Sequence, residues 1–119
     1  MKIMKMIIYN KDYNNSNNSF MDFHYGLQMK FLASDLLSYG LSPKQVSDAI
    51  AIALKISCLS GITIRKHFMP VYSAVKDEII QDCKLSSLGY GLVLMNANSN
   101  LSVVANFQLN ILKEFIKAP

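Results

Sequence analysis

Side chains able to do acid–base, nucleophilic or metal chemistry are few in this 119-residue chain, and their spacing keeps them apart. Its two histidines, His24 and His67, lie 43 residues apart, without the HxH or HxxxH spacing that puts two metal ligands on one face. Each reads as a surface or hydrogen-bonded structural histidine. The two cysteines, Cys58 and Cys83, have 24 residues between them and form neither a CxxC motif nor a disulfide framework. Both sit among apolar neighbours and read as small buried hydrophobes. General acid–base catalysis wants a positioned pair of titratable groups, whereas Asp77 and Glu78 fall together in a stretch that reads as a solvated turn. Gly89-Tyr90-Gly91 lies inside a helical run with no lysine after it, so it is not a phosphate-cradling loop. The expectation is no catalytic residue, no metal, no cofactor and no enzymatic activity.

Charge narrows the partners only a little. Twelve Lys and Arg against eight Asp and Glu give a net charge of +4. Lys2, Lys5 and Lys11 less Asp12 put two of those units in the first twenty residues, leaving the rest nearly balanced. Nucleic-acid binders gain affinity by releasing counterions with clustered Lys and Arg, and favour the forked guanidinium for phosphate and guanine. Here the one arginine is Arg65. Apolar residues make up 51% of the chain and charged residues 17%, enough for a packed core. No apolar run reaches the roughly 18 to 20 residues that a bilayer crossing takes, and Met1–Tyr9 is broken by Lys2 and Lys5 with no cleavage site after it. A soluble, unprocessed protein of a reducing, cytoplasmic compartment is expected, with no membrane partner.

The elements that position these residues follow from periodicity and punctuation. Residues 10–19 hold five asparagines and no apolar face, so residues 1–19 are expected to be a flexible arm, with Met1–Tyr9 either a strand or a sticky segment. Residues 20–119 are the expected folded unit. Met21–Phe31 alternates loosely around Gly26, predicting two short strands joined at the glycine. Ala33, Leu36, Leu37 and Tyr39 then recur at helical spacing, closed by Gly40 as a left-handed cap. The best-marked element is the next helix: Ser42 and Gln45 form a capping box, Pro43 occupies the first helical position, and Gly61 ends the run. Its apolar residues cover most of the circumference, leaving a narrow stripe through Lys44, Asp48, Ala51 and Lys55. Such a helix is either central to the core or pressed against a partner on a second face. Ile62–Phe68 is helix or loop. Val71–Val75 and Ile79–Leu85 flank Lys76-Asp77-Glu78 as a β-hairpin. A helix follows from Ser86 to Met95, where Gly89 and Gly91 call for the close approach of another backbone. Asn96–Asn100 reads as a polar loop, and a last helix runs over residues 102–117. The fold class is α+β: a small single domain with a long central helix, a β-hairpin and a C-terminal helical pair.

Two stretches resemble known sequences. Residues 30–41, Lys-Phe-Leu-Ala-Ser-Asp-Leu-Leu-Ser-Tyr-Gly-Leu, resemble the opening of the BRO N-terminal domain of phage antirepressors and viral regulators. Residues 53–68, with Ser60-Gly61 and His67-Phe68, then Leu85-Ser86, Tyr90, Leu92-Val93, Asn96 and Val103-Val104-Ala105 with Gln108, are similar to the bacterial DNA-damage-inducible protein D. Together they span about residues 28–110 in matching order. The resemblance implies an α+β domain with an early short helix, a long central helix, a hairpin and a final helical pair. It also implies a DNA-associated regulatory role, in the DNA-damage response or in phage gene control, without catalysis.

Two expectations about contact follow. In the first, a DNA-binding transcription regulator, Lys44 and Lys55 on the exposed helix stripe act with Arg65, Lys66 and His67 on phosphates, gathered near one end of the central helix. In the second, the chain is a protein-interaction module, such as an antirepressor or a modulator of a recombination protein, without direct DNA binding. The nearly all-round apolar central helix and the spread of Leu109, Phe115 and Ile116 over more than one face of the last helix motivate it. Such a surface is commonly a homodimer interface.

Overall fold

The computed structural model describes residues 16–117, with side chains from Phe20 onward. The reading of Met1–Tyr9 as strand or arm lies outside the described residues, as does most of the asparagine-rich stretch. Among the described residues, four helices and two short 3-10 segments pack around a three-stranded antiparallel sheet, an α+β architecture.

Helix α1, Ser16–Gln28, corrects two expectations. It begins inside the stretch assigned to a flexible arm, and it replaces the two strands expected over Met21–Phe31. Asp22, Gly26 and Met29 are buried at spacings of four and three, a helical stripe. Gly26 misled because it is a packing residue and not a turn: a Cβ there would lie 2.8 Å from the Met69 methyl carbon. Strand β1 is only Phe31–Leu32, and a 3-10 helix over Ala33–Tyr39 follows, with Gly40 closing it at φ 105°. The Asp35 carboxylate accepts from the Leu32 N–H (3.1 Å) at its start.

Helix α2, Pro43–Leu59, forms as its signals require. Ser42 Oγ accepts from the Gln45 N–H (3.1 Å), and Gln45 Oε1 accepts from the Ser42 N–H (2.8 Å). Gly61, at φ 74°, turns the chain out of the helix. Val46, Ala49, Ile50, Ala53, Leu54 and Ser57 form its buried face. Cys58, expected inside, is exposed. The phase of the helix decides this: Ser57 follows Ala53 by four residues and takes the inward position, its hydroxyl donating to the Ala53 carbonyl (2.8 Å).

A 3-10 turn, Ile64–Lys66, leads into the hairpin of β2, Phe68–Val75, and β3, Glu78–Leu85. The sheet order is β1-β3-β2, and Phe31 and Phe68 both pair with Leu85. β2 starts three residues before the expected boundary because Pro70 sits on an edge strand, where a missing N–H is tolerated. The turn is two residues, Lys76 and Asp77, both at positive φ, the geometry that matches strand twist. Helix α3, Ser87–Met95, is capped by Ser86, whose Oγ accepts from the Gly89 N–H (3.0 Å). Helix α4 is Ser102–Lys117. Leu36, Ile50, Phe68, Leu85, Val93 and Val104, all fully buried, tie the 3-10 helix, α2, the sheet, α3 and the start of α4 into one core.

Candidate interaction surface

Of the residues expected to meet DNA, Arg65 and Lys66 share one tyrosine ring, and Lys44 stands apart from them. Lys44 and Lys55 share the outer stripe of α2, but eleven residues at about 1.5 Å per residue separate them by roughly 17 Å along the axis. Lys44 therefore stands at the far end from Arg65, Lys66 and His67, and its ammonium is paired with Asp48 at 2.9 Å. Lys55 is exposed and Lys66 is exposed. Arg65 is half-buried, its guanidinium carbon 5.8 Å from the Tyr25 ring centroid, with Lys66 Nζ at the same distance from that ring. Nε and Nη1 of Arg65 are buried and find no hydrogen-bond partner among the described residues. His67 Nδ1 lies 2.7 Å from Ser86 Oγ. Burial, and then the neighbouring Lys66 charge, hold its imidazole below the ordinary value of 6.5, so the ring is neutral at neutral pH. His67 thus joins the start of β2 to the cap of α3.

The same junction accounts for Gly89. The His67 carbonyl accepts the Ser86 N–H (3.0 Å) and lies 2.5 Å from where a Gly89 Cβ would be. The close backbone approach expected of this helix is therefore real at Gly89. At Gly91 it is absent, since the nearest atom in that direction is Phe107 Cζ at 3.9 Å. Tyr90 stacks on Phe31 with ring centroids 4.4 Å apart, and burial raises its phenol above the usual range. Gln108 reaches back from α4 to the Leu94 and Met95 carbonyls (3.2 Å each), satisfying the end of α3.

One buried charge escaped the sequence reading. Asp82 is fully buried in β3, and its carboxylate accepts from the Ser34 N–H (3.0 Å), the Cys83 N–H (2.8 Å) and the Ser73 hydroxyl (2.6 Å). A carboxylate so engaged ties the 3-10 helix to the hairpin. A cleft of about 500 Å³ opens beside it, walled by Leu37, Pro43, Val46, Val75 and Ile80. The signal was present only in part: Asp82 falls two residues after Ile80, on the same face of the strand. Cys83, beside it, is buried as expected, and burial pushes its thiol up to about 12. Among the described residues no three His, Cys, Asp or Glu side chains gather as metal ligands.

What remains is apolar surface. Only the first half of α4 packs on the body, with Val104 its single fully covered residue. Residues 109–117 are exposed throughout, yet five of them are large and apolar, up to 77% exposed at Phe115 and 70% at Ile116. Val104, Gln108, Ile111 and Phe115, spaced by four, three and four, lie in one line. The body ends beneath that line after Gln108. Between α3 and α4 a groove of about 530 Å³, lined by Leu88, Tyr90, Met95, Phe107 and Ile111, continues the apolar face. Phe20, Phe23 and Leu27 are exposed on α1 as well. Scattered surface apolar residues are ordinary, whereas large contiguous apolar patches are uncommon on soluble monomers.

Among the described residues no helix is long and apolar enough to cross a membrane. Compared with known protein families, with curated proteins and with solved structures, the chain matches none. The class defined by these observations is a small α+β domain with a projecting apolar helix.

Proposed function

We propose that this protein is a regulatory interaction domain that works by contact with another protein through the second half of α4 and the adjoining α3 groove, without catalysis. The observation that carries it is the exposure of Leu109, Ile111, Leu112, Phe115 and Ile116 on nine successive uncovered residues. Their burial would remove apolar area from water at about 25 cal/mol per Å², a driving force that the isolated domain leaves unused. The titratable groups nearest to reactive geometry support the non-catalytic part, because the Asp82 carboxylate and the His67–Ser86 pair are occupied in holding elements together. The resemblance of residues 28–110 to phage antirepressors and to a damage-inducible protein points to DNA-linked regulation as the process served.

A photo-crosslinking amino acid placed at position 115, compared with one at the hairpin turn, position 77, tests the reading in the protein's own cells. A discrete protein adduct from 115 and none from 77 is expected. No adduct from 115, or equal adducts from both, overturns it.

Direct DNA contact is a second reading, favoured by the adjacent Arg65 and Lys66 over one tyrosine ring. Binding of a labelled duplex over a salt series tests it. Arg65→Ala with Lys66→Ala should weaken binding to all sequences and lower the salt slope by about one for each phosphate no longer neutralised. Absence of binding at low salt removes it.

A further inference from the structure

Resting on the reading of α4 as a contact surface, we propose that the partner is a second copy of this chain, docked through an antiparallel pairing of the two α4 helices. Ala105, Leu109, Leu112 and Ile116 are spaced by four, three and four, the a/d spacing of a helix-to-helix seam. This stripe lies about 100° around the helix from Val104, the residue that anchors α4 in the core, so a helix can occupy it while the core stays intact. Ala105 is half-buried, and the other three range from 48% to 70% exposed.

Three features select a second copy and its direction. The stripe is self-complementary when reversed: about a two-fold axis between positions 110 and 111, Leu109 meets the partner's Leu112, and Ala105 meets the partner's Ile116. Small therefore faces large at the ends and leucine faces leucine at the centre, the isologous arrangement of a two-fold dimer. The charges of α4, Lys113, Glu114 and Lys117, all lie in its second half, and Lys117 pairs with Glu114 at 3.6 Å. Antiparallel pairing sets them against the partner's uncharged segment 102–108, whereas parallel pairing would stack Lys113 on Lys113 and Lys117 on Lys117. The stripe is also open: Leu109, Leu112 and Ile116 are 48%, 52% and 70% exposed, apolar surface that a second helix would take from water.

The test uses the full chain with Cys58→Ser, so that the exposed native thiol takes no part. Sedimentation equilibrium should give a dimer at tens of micromolar, and Leu112→Asp, at a half-exposed position, should give a monomer with unchanged circular dichroism and a melting temperature that no longer depends on protein concentration. Mixing Ala105→Cys chains with Ile116→Cys chains under mild oxidation should give a disulfide-linked dimer, while neither variant alone links. A wild-type monomer at 100 micromolar, or linking of Ile116→Cys with itself as efficient as the mixture, overturns the proposal. A monomer whose position 115 still crosslinks to a different protein rejects the second copy and leaves the interaction reading standing. A monomer without any adduct rejects both. A chain that is monomeric with residues 1–15 and dimeric without them assigns the surface to its own N-terminal segment and also overturns the proposal.

Discussion

Gly89 and Gly91 sit two residues apart in one short helix, and the structure gives them opposite responses to the same substitution. At Gly89 an alanine Cβ would lie 2.5 Å from the His67 carbonyl oxygen and 3.5 Å from Ser86 Oγ. Neither neighbour yields freely. That carbonyl is bonded to the Ser86 N–H, and the next residue, Phe68, is fully buried at the start of β2. Overpacking of this kind costs about 1–3 kcal/mol, and loss of the Ser86–His67 bond adds about 1 kcal/mol. The gain in helix propensity from Gly to Ala, about 1 kcal/mol, offsets only part of this. Gly89→Ala should therefore destabilise by about 2 kcal/mol. At Gly91 the nearest atom is 3.9 Å away, an ordinary contact, so Gly91→Ala should stabilise by about 0.5–1 kcal/mol. Urea unfolding at one fixed protein concentration is the assay. With a slope of about 1.5 kcal/mol per molar, the midpoint should fall by roughly 1 M for Gly89→Ala and rise by about 0.5 M for Gly91→Ala. Equal shifts, or a Gly89→Ala protein as stable as the parent, would refute the assigned junction between β2 and α3.

Three further outcomes are expected. Asp82→Ala strands two backbone N–H groups and the Ser73 hydroxyl in the interior and should cost about 3 kcal/mol, whereas Asp82→Asn keeps an acceptor for both amides and should cost roughly 1 kcal/mol, both read from urea midpoints. Ellman titration of the folded protein should find one fast thiol, the exposed Cys58, with Cys83, buried and pushed up to about 12, reacting only in urea. Because the folded-state pKa of His67 lies below the unfolded value of 6.5, the unfolded chain takes up the proton first; stability should be full above pH 6.5 and fall as the pH drops below it. Replacing His67 with Gln should flatten that part of a pH–stability curve, and an unchanged slope would show that His67 is not responsible.

Local chemistry made much of the fold legible. The Ser42–Gln45 box, Pro43, Gly40 and Gly61 set the bounds of the 3-10 helix and α2 because each satisfies a helix terminus within a few residues of itself. The hairpin was readable from two apolar runs around Lys76-Asp77. What escaped depends on partners distant in sequence. Gly26 resembles a turn until Met69 is seen filling the space where its side chain would be. Cys58 and Ser57 differ by one step of a helix whose apolar residues spread over most of its circumference, so composition could not set the phase. Asp82 is tolerated inside because Ser34, 48 residues earlier, supplies an amide to it. The spacing of the basic residues along the chain did not show that the length of α2 parts Lys44 from Arg65, or that the cap of α3 engages His67. Several residues that carry the family resemblance also have structural roles: Gly61 ends α2, His67 and Ser86 join β2 to α3, Tyr90 stacks on Phe31, and Gln108 holds the end of α3.

The accessibility of position 115 in living cells tests the covered α4 face most directly. In a Cys58→Ser background, Phe115→Cys and Ile79→Cys each place a thiol where the wild-type side chain is more than three-quarters exposed. Maleimide labelling rates are compared between cells and dilute purified protein. A surface occupied by another protein predicts labelling at 115 slowed at least tenfold in cells, with 79 unchanged. Equal rates at 115 in the two settings would contradict it.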